Sequence, residues 1–321
     1  MEAGLESIWV VDGHCDSLGD YLMTRRTLKD PNEGGHWDLQ RAKEGNVALQ
    51  FMAAFIESDY KPDRATWRGL QLIDAAKRLI NENDENTFLI LNKEDLIKLP
   101  DKHKVGLLLS IEGGEILGDS LFMIDTIFQL GVRALGLTWN QRNAIGYGVG
   151  DSQHDGGLTL FGQQVIRRMN ELGMLIDVSH LNEAGFWDVL ELSQHPVVAS
   201  HSCAKALCSH PRNLTDKQLK SLAARGGVVG VNFNPVFLTK ESPAKREDVV
   251  RHIAHITEVA GIETVGLGSD FDGIPDVPEL LADATQYQGL AQDLKKAGFS
   301  KGEIEQIFNK NFMRLLLSVL K

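Results

Sequence analysis

Residues 7–20 read "SIWVVDGHCDSLGD". Four apolar residues, Ile8 to Val11, run directly into Asp12, Gly13, His14, Cys15 and Asp16. A strand fit for burial therefore ends in a histidine and two carboxylates. An ordinary turn with an aspartate cap would account for this, and so would a strand that delivers ligands to a metal. In extended backbone, residues i and i+2 share a face. His14 and Asp16 then point one way and Cys15 the other, toward the wall as a small buried residue. A neutral imidazole beside a carboxylate suits a borderline divalent ion such as Zn2+.

Working outward, similar apolar runs occur at 47–56, 105–111, 132–138, 174–179, 196–200, 227–233 and 264–269, with the first at 8–12. Most are near-continuous rather than alternating, as in strands covered on both faces of a parallel sheet. Helical patterns lie between them, at 65–82, 119–130, 159–172, 182–193, 215–225, 246–260 and 300–319. Asp119 or Ser120 is expected to cap one helix and Thr215 another. Eight strands separated by helices predict an α/β fold, a (β/α)8 TIM-like barrel. No Pro/Ser linker or composition shift divides the chain, so one domain over 1–321 is expected. The long loops at 12–46 and 139–158 can build an active-site rim.

The strand ends carry the chemistry. The third expected strand ends in "SIEGG" with Glu112, the fifth in "DVSH" with His180 and the sixth in "ASHS" with His201. The eighth ends in "GSDFDG" with Asp270 and Asp272. All lie at C-terminal strand ends, the face on which barrel enzymes assemble their sites. Singly, each is more often a turn residue or a hydrogen-bonded core histidine; jointly they favour a metal site. Three carboxylates and three histidines exceed the needs of one catalytic zinc. They suit two metals that share a bridging carboxylate, with a hydroxide held between them. Glu112, from the strand between the two ligand groups, is the natural bridge.

Composition narrows the partners. The chain is 43% hydrophobic and 24% charged, with 33 Lys+Arg against 44 Asp+Glu and a net charge of −11. No basic tract stands out, so nucleic acid and anionic membrane are poor partners. No stretch is apolar for long enough to span a bilayer. The opening "MEAGLESIWV" has no basic flank and does not read as a secretory signal. Cys15, Cys203 and Cys208 form neither a disulfide framework nor a CxxC pattern. A reducing cytoplasm is the expected home.

Taken together, "DGHCDSLGD", "LLLSIEGGE", "GVRALGLTWN", "GMLIDVSH", "SHSCAKALCSHPRNLTD", "GGVVGVNF" and "VGLGSDFDG" resemble the renal (membrane) dipeptidase family of dizinc peptidases, within the amidohydrolase-like barrels. The resemblance covers nearly the whole chain. It implies a dipeptidase that uses a metal-bridging hydroxide on dipeptides with a free C-terminal carboxylate. His14 and Asp16 would bind one zinc, His180 and His201 the other, with Glu112 between them. Arg212 would hold the substrate's C-terminal carboxylate, and Asp270 would meet the substrate amine and shuttle the proton. Asp272 is expected to cap the following turn. A homodimer is implied as well.

One position departs from the mammalian pattern, which has a substrate-polarising histidine in a Leu-Thr-His context. Here the stretch reads "GLTWNQRN", placing Trp139 there, with Asn140, Asn143 or His154 as substitutes at the substrate. The mammalian signal and anchor segments have no counterpart, which points to a soluble intracellular relative. Other readings stay open: another amide or lactam hydrolase acting on β-lactams or N-acyl amino acids, a non-catalytic metal-binding barrel, or a phosphate-binding barrel. The last is disfavoured by the acids at the eighth strand. His252 and His255 read as packing or surface residues. His36, His103, His195 and His210 lie in expected loops and call for no function.

Overall fold

The computed structural model describes residues 8–101, 103–151 and 154–321. All eight expected strands form. They are β1 (Val10–Cys15), β2 (Val47–Phe55), β4 (Val105–Glu112), β5 (Val132–Gly136), β6 (Leu175–Asp177), β7 (Val198–Ser202), β8 (Val228–Val231) and β9 (Val265–Leu267). All pair in parallel in the order β2-β1-β9-β8-β7-β6-β5-β4, and β2 also pairs with β4, which closes the (β/α)8 barrel. A ninth strand, β3 (Thr87–Leu89), was not expected. β2 runs along one edge of β4, so β3 shares the other edge with β5, beside Val105–Leu107.

Two apolar cores explain why the strands read as continuous runs. Val11, Leu49, Phe51, Leu108, Ala134, Leu175, Val198 and Val228 fill one core together with Phe312 of the last helix. A larger shell packs Met52, Leu109, Ile176 and Val229 against helix residues such as Leu72, Val165 and Ile253. Burial on both faces removes the alternation that a half-exposed sheet shows.

β1 is displaced from its expected span of 8–12, so His14 lies within the strand rather than after it. Val11 belongs to the inner core, whereas Asp12 meets Gln50 and Tyr287 on the other side. Strict alternation would carry His14 to Asp12's side. A register shift between Asp12 and Cys15 turns it inward instead, the usual effect of a bulge. Gly13 permits the bend: a Cβ there would lie 2.6 Å from Phe312 Cζ and 2.9 Å from the Ser200 carbonyl oxygen.

Helix boundaries follow the sequence with two corrections. The expected 119–130 helix begins at Phe122 with no side-chain cap, so neither Asp119 nor Ser120 caps it. Thr215, in contrast, forms a full capping box with Gln218. The expected 300–319 helix is interrupted by a π turn at Gln306–Lys310. Near that turn, Asn309 donates to the Trp9 carbonyl (2.7 Å) and Asn311 to those of Ile262 (2.7 Å) and Val265 (2.8 Å). These bonds tie the last helical segment to the residue before β1, to the turn before β9 and to the first residue of β9. Among the described residues no helix is long and apolar enough to cross a membrane.

Candidate metal centre

The strand ends bring the expected residues together. His14 Nε2 lies 3.2 Å from Asp16 Oδ2 and 3.4 Å from Glu112 Oε2. Glu112 Oε1 lies 2.8 Å from His180 Nε2 and 3.5 Å from His201 Nε2. One carboxylate thus offers one oxygen to each group. Asp270 Oδ1 stands 4.0 Å from His14 Nε2, and its Oδ2 accepts from Asn232 Nδ2 at 2.8 Å. Asn232, at the end of β8, carried no signal in the sequence beyond "GVNF". His180 and Asp270 both hold positive φ, 67° and 64°, a conformation that costs free energy in non-glycine residues and clusters at functional sites.

The histidines are aimed by what lies behind them. His180 Nδ1 is 2.8 Å from Asn140 Oδ1, so the proton sits on Nδ1. Ser200 donates its hydroxyl to Asp177 and therefore accepts from His201 Nδ1 at 2.7 Å. Both rings then present bare Nε2 lone pairs, and these face each other 2.9 Å apart. Two lone pairs in that position with a carboxylate oxygen alongside need a cation between them, and this is how outer partners orient metal-binding imidazoles.

Electrostatics agree. Burial, helped by the Arg212 charge, pushes His180 down; burial and the His14 charge do the same to His201, which keeps both neutral as ligation requires. Burial pushes Asp16 up to about 8, reinforced by Glu112 and Asp270 and opposed by His14. Burial alone would lower His14, but Asp16 and Glu112 outweigh it and push it up. Asp16 Oδ1 is buried without a hydrogen-bond partner. The His14 charge offsets the three packed carboxylates only in part, and buried charge left uncompensated is costly, so a divalent cation that replaces the His14 proton fits the donor set. Two triads converge closely enough to hold one: His14, Glu112 and His201, and His14, Asp16 and Asp270.

A cavity of about 730 Å³ opens over this cluster, with Arg212, Trp139 and His210 in its walls. Arg212 is buried; it donates to the His201 carbonyl (2.9 Å) and approaches Ser202 Oγ (3.4 Å), while its Nε has no partner.

Four expectations change. Asn140 lines the cavity, and its side-chain oxygen faces His180, so it takes on the added task of orienting that ring. Asn143 is used within its loop, bonding Leu137 and Ile145, and His154 is exposed and stacked on Tyr147. Asp272 does not cap its turn: its carboxylate accepts from Ser17, from Arg26 (2.7 Å) and from the His36 N–H (2.5 Å). His36, read as idle, thus acquires a place, and so does His210, which stands in the cavity wall and accepts the Arg212 backbone N–H. Trp139 packs on Phe55 and His180, with Lys61 Nζ 5.1 Å from its ring centre.

A family model described as membrane dipeptidase, peptidase family M19, matches residues 2–320. The chain belongs to this family. It is accordingly a metal-dependent peptidase of the dipeptidase type. Its structure is similar to that of the metallopeptidase dipeptidase AC of family M19, at 30% identity over 98% of this chain and 99% of that one, TM-score 0.92. A metallopeptidase from Rhodobacter sphaeroides, solved with a phosphinate mimic of the dipeptide L-Ala-D-Ala, is 28% identical over 97% and 99% of the two chains, TM-score 0.91. A probable dipeptidase from Pseudomonas aeruginosa, 22% identical over 98% and 96%, shares the fold at a TM-score of 0.89.

Proposed function

We propose that this chain hydrolyses dipeptides with a free C-terminal carboxylate, using two zinc ions. His14 and Asp16 would hold one, His180 and His201 the other, and Glu112 would bridge them. The observation that carries this is the division of Glu112, with Oε2 toward His14 and Oε1 toward His180 and His201. When bound, the pair supplies positive charge to the scissile carbonyl and lowers the pKa of the attacking water.

The chain's own groups do the rest. Arg212, buried and without a carboxylate partner among the described residues, offers a guanidinium to the substrate's C-terminal carboxylate. That clamp limits substrate length, because a longer peptide would carry its carboxylate out of reach. Asn232 holds Asp270 Oδ2, leaving Oδ1 to accept the proton of the attacking water and return it to the leaving amine nitrogen. The dipeptide mimic on the Rhodobacter protein supports a ligand of this size. Arg212 is equally compatible with an N-acyl amino acid or β-lactam bearing a carboxylate, so the amide or lactam hydrolase reading stands second.

Metal analysis of the purified protein, paired with a panel of dipeptides and their C-terminal amides, tests this reading. Two equivalents of metal, loss of turnover on chelation and strong preference for the free carboxylate are expected. A protein that binds metal yet leaves every dipeptide intact would revive the non-catalytic barrel.

A further inference from the structure

Arg212 does not stand alone in its wall of the cavity. His210 lines the same wall, and its Nδ1 accepts the backbone N–H of Arg212 at 3.2 Å. A neutral imidazole that accepts at Nδ1 carries its proton on Nε2. Burial, with the Arg212 charge beside it, pushes the His210 pKa down, which favours that neutral form. No hydrogen bond or ion pair engages Nε2 among the described residues, so it is a spare donor beside the guanidinium.

The surroundings hold the ring still. Phe237 packs on it with ring centres 4.5 Å apart, and the Arg212 guanidinium carbon lies 5.5 Å from the same phenyl ring. Asn213 ties the loop down by donating to the Cys208 (2.8 Å) and Phe237 (2.7 Å) carbonyls. Arg212 already directs its two terminal nitrogens toward Ser202 and the His201 carbonyl. Those bonds occupy part of its five-donor fork, and His210 adds a further donor on the same wall for a carboxylate with two oxygens to satisfy.

We propose that His210 Nε2–H donates to the second oxygen of the substrate's C-terminal carboxylate, making His210 a specificity-determining residue that works beside Arg212. The inference rests on the dipeptidase reading above. His210→Phe keeps a ring against Phe237 and removes the donor; His210→Gln keeps a donor. In the metal-loaded enzyme acting on L-alanyl-L-alanine, His210→Phe should raise KM about tenfold, the loss expected for a hydrogen bond to a charged group, with a much smaller change in kcat. His210→Gln should keep KM within about twofold of wild type. The C-terminal amide, used as substrate or competitive inhibitor, should bind both variants and the wild type alike. An unchanged KM in His210→Phe, or an equal loss on the amide, would mark His210 as a packing residue and overturn the proposal. A wild-type enzyme inert toward every dipeptide would instead overturn the dipeptidase reading, and this inference with it.

Discussion

Ser269 donates both its backbone N–H (2.8 Å) and its hydroxyl (2.6 Å) to the carboxylate of Asp12. Asp12 is fully buried and also accepts from Gln50 Nε2 and Tyr287 Oη, each at 2.9 Å. The clasp joins β1 to the end of β9 directly beneath His14 and Asp270, the residues those strands deliver. Burial pushes the Asp12 pKa up despite these bonds. Removing the carboxylate would leave several buried donors unsatisfied. Asp12→Ala should therefore lose about 3 kcal/mol of stability in denaturant titration, whereas Asp12→Asn should lose clearly less.

Ser200 links Asp177 to His201 and thereby sets which nitrogen of the ring is bare. Ser200→Ala should weaken metal binding about 10- to 100-fold, read by chelator competition, with little change in the circular dichroism spectrum. Unaltered metal affinity would show that the ring needs no such partner.

Gly273 is required by crowding. A Cβ at this position would stand 2.0 Å from Asp16 Oδ2 and 2.7 Å from Asp270 Oδ1. Gly273→Ala must push these carboxylates out of place, and misplacement of about 1 Å can cost on the order of 100-fold in rate. Turnover should fall at least tenfold while the barrel still folds; near-normal turnover would show that Asp16 and Asp270 need not hold these positions.

His252, on the helix Arg246–Ala260, accepts from the Ala204 N–H (3.1 Å) and donates to the Leu238 carbonyl (2.9 Å), joining the loops after β7 and β8. Burial holds its pKa down at about 4. Between the unfolded value of about 6.5 and this one, the unfolded chain binds the extra proton, so stability falls as pH falls through that window. The effect amounts to about 3 kcal/mol across the window. Thermal midpoints measured from pH 7 to pH 4 should drop less steeply in His252→Gln than in wild type.

Most of the architecture was legible because its signals are local. Continuous apolar runs reported strands buried on both faces, and Thr215 announced a helix start. The positions of His14, Asp16, Glu112, His180, His201 and Asp270 followed from one rule, that side chains at C-terminal strand ends meet at one mouth. Strand β3 was missed because three residues contribute too little pattern; it forms on the first part of the β4 edge, Val105–Leu107, that β5 does not reach. The π turn lies where Asn309 and Asn311 bond to segments distant in sequence, and nothing local announces it.

By itself the sequence determined the barrel, the approximate spans of its strands and the ring of histidines and carboxylates at their ends, since periodicity and strand termini are written in neighbouring residues. Only the tertiary structure decided that a bend at Gly13 turns His14 inward, that Asn140 serves His180, that Asp272 joins Arg26 and His36, and that His210 stands beside Arg212. Each of those depends on contacts between side chains from different segments or on a local break in strand geometry, and their distances and orientations exist only once the chain has closed.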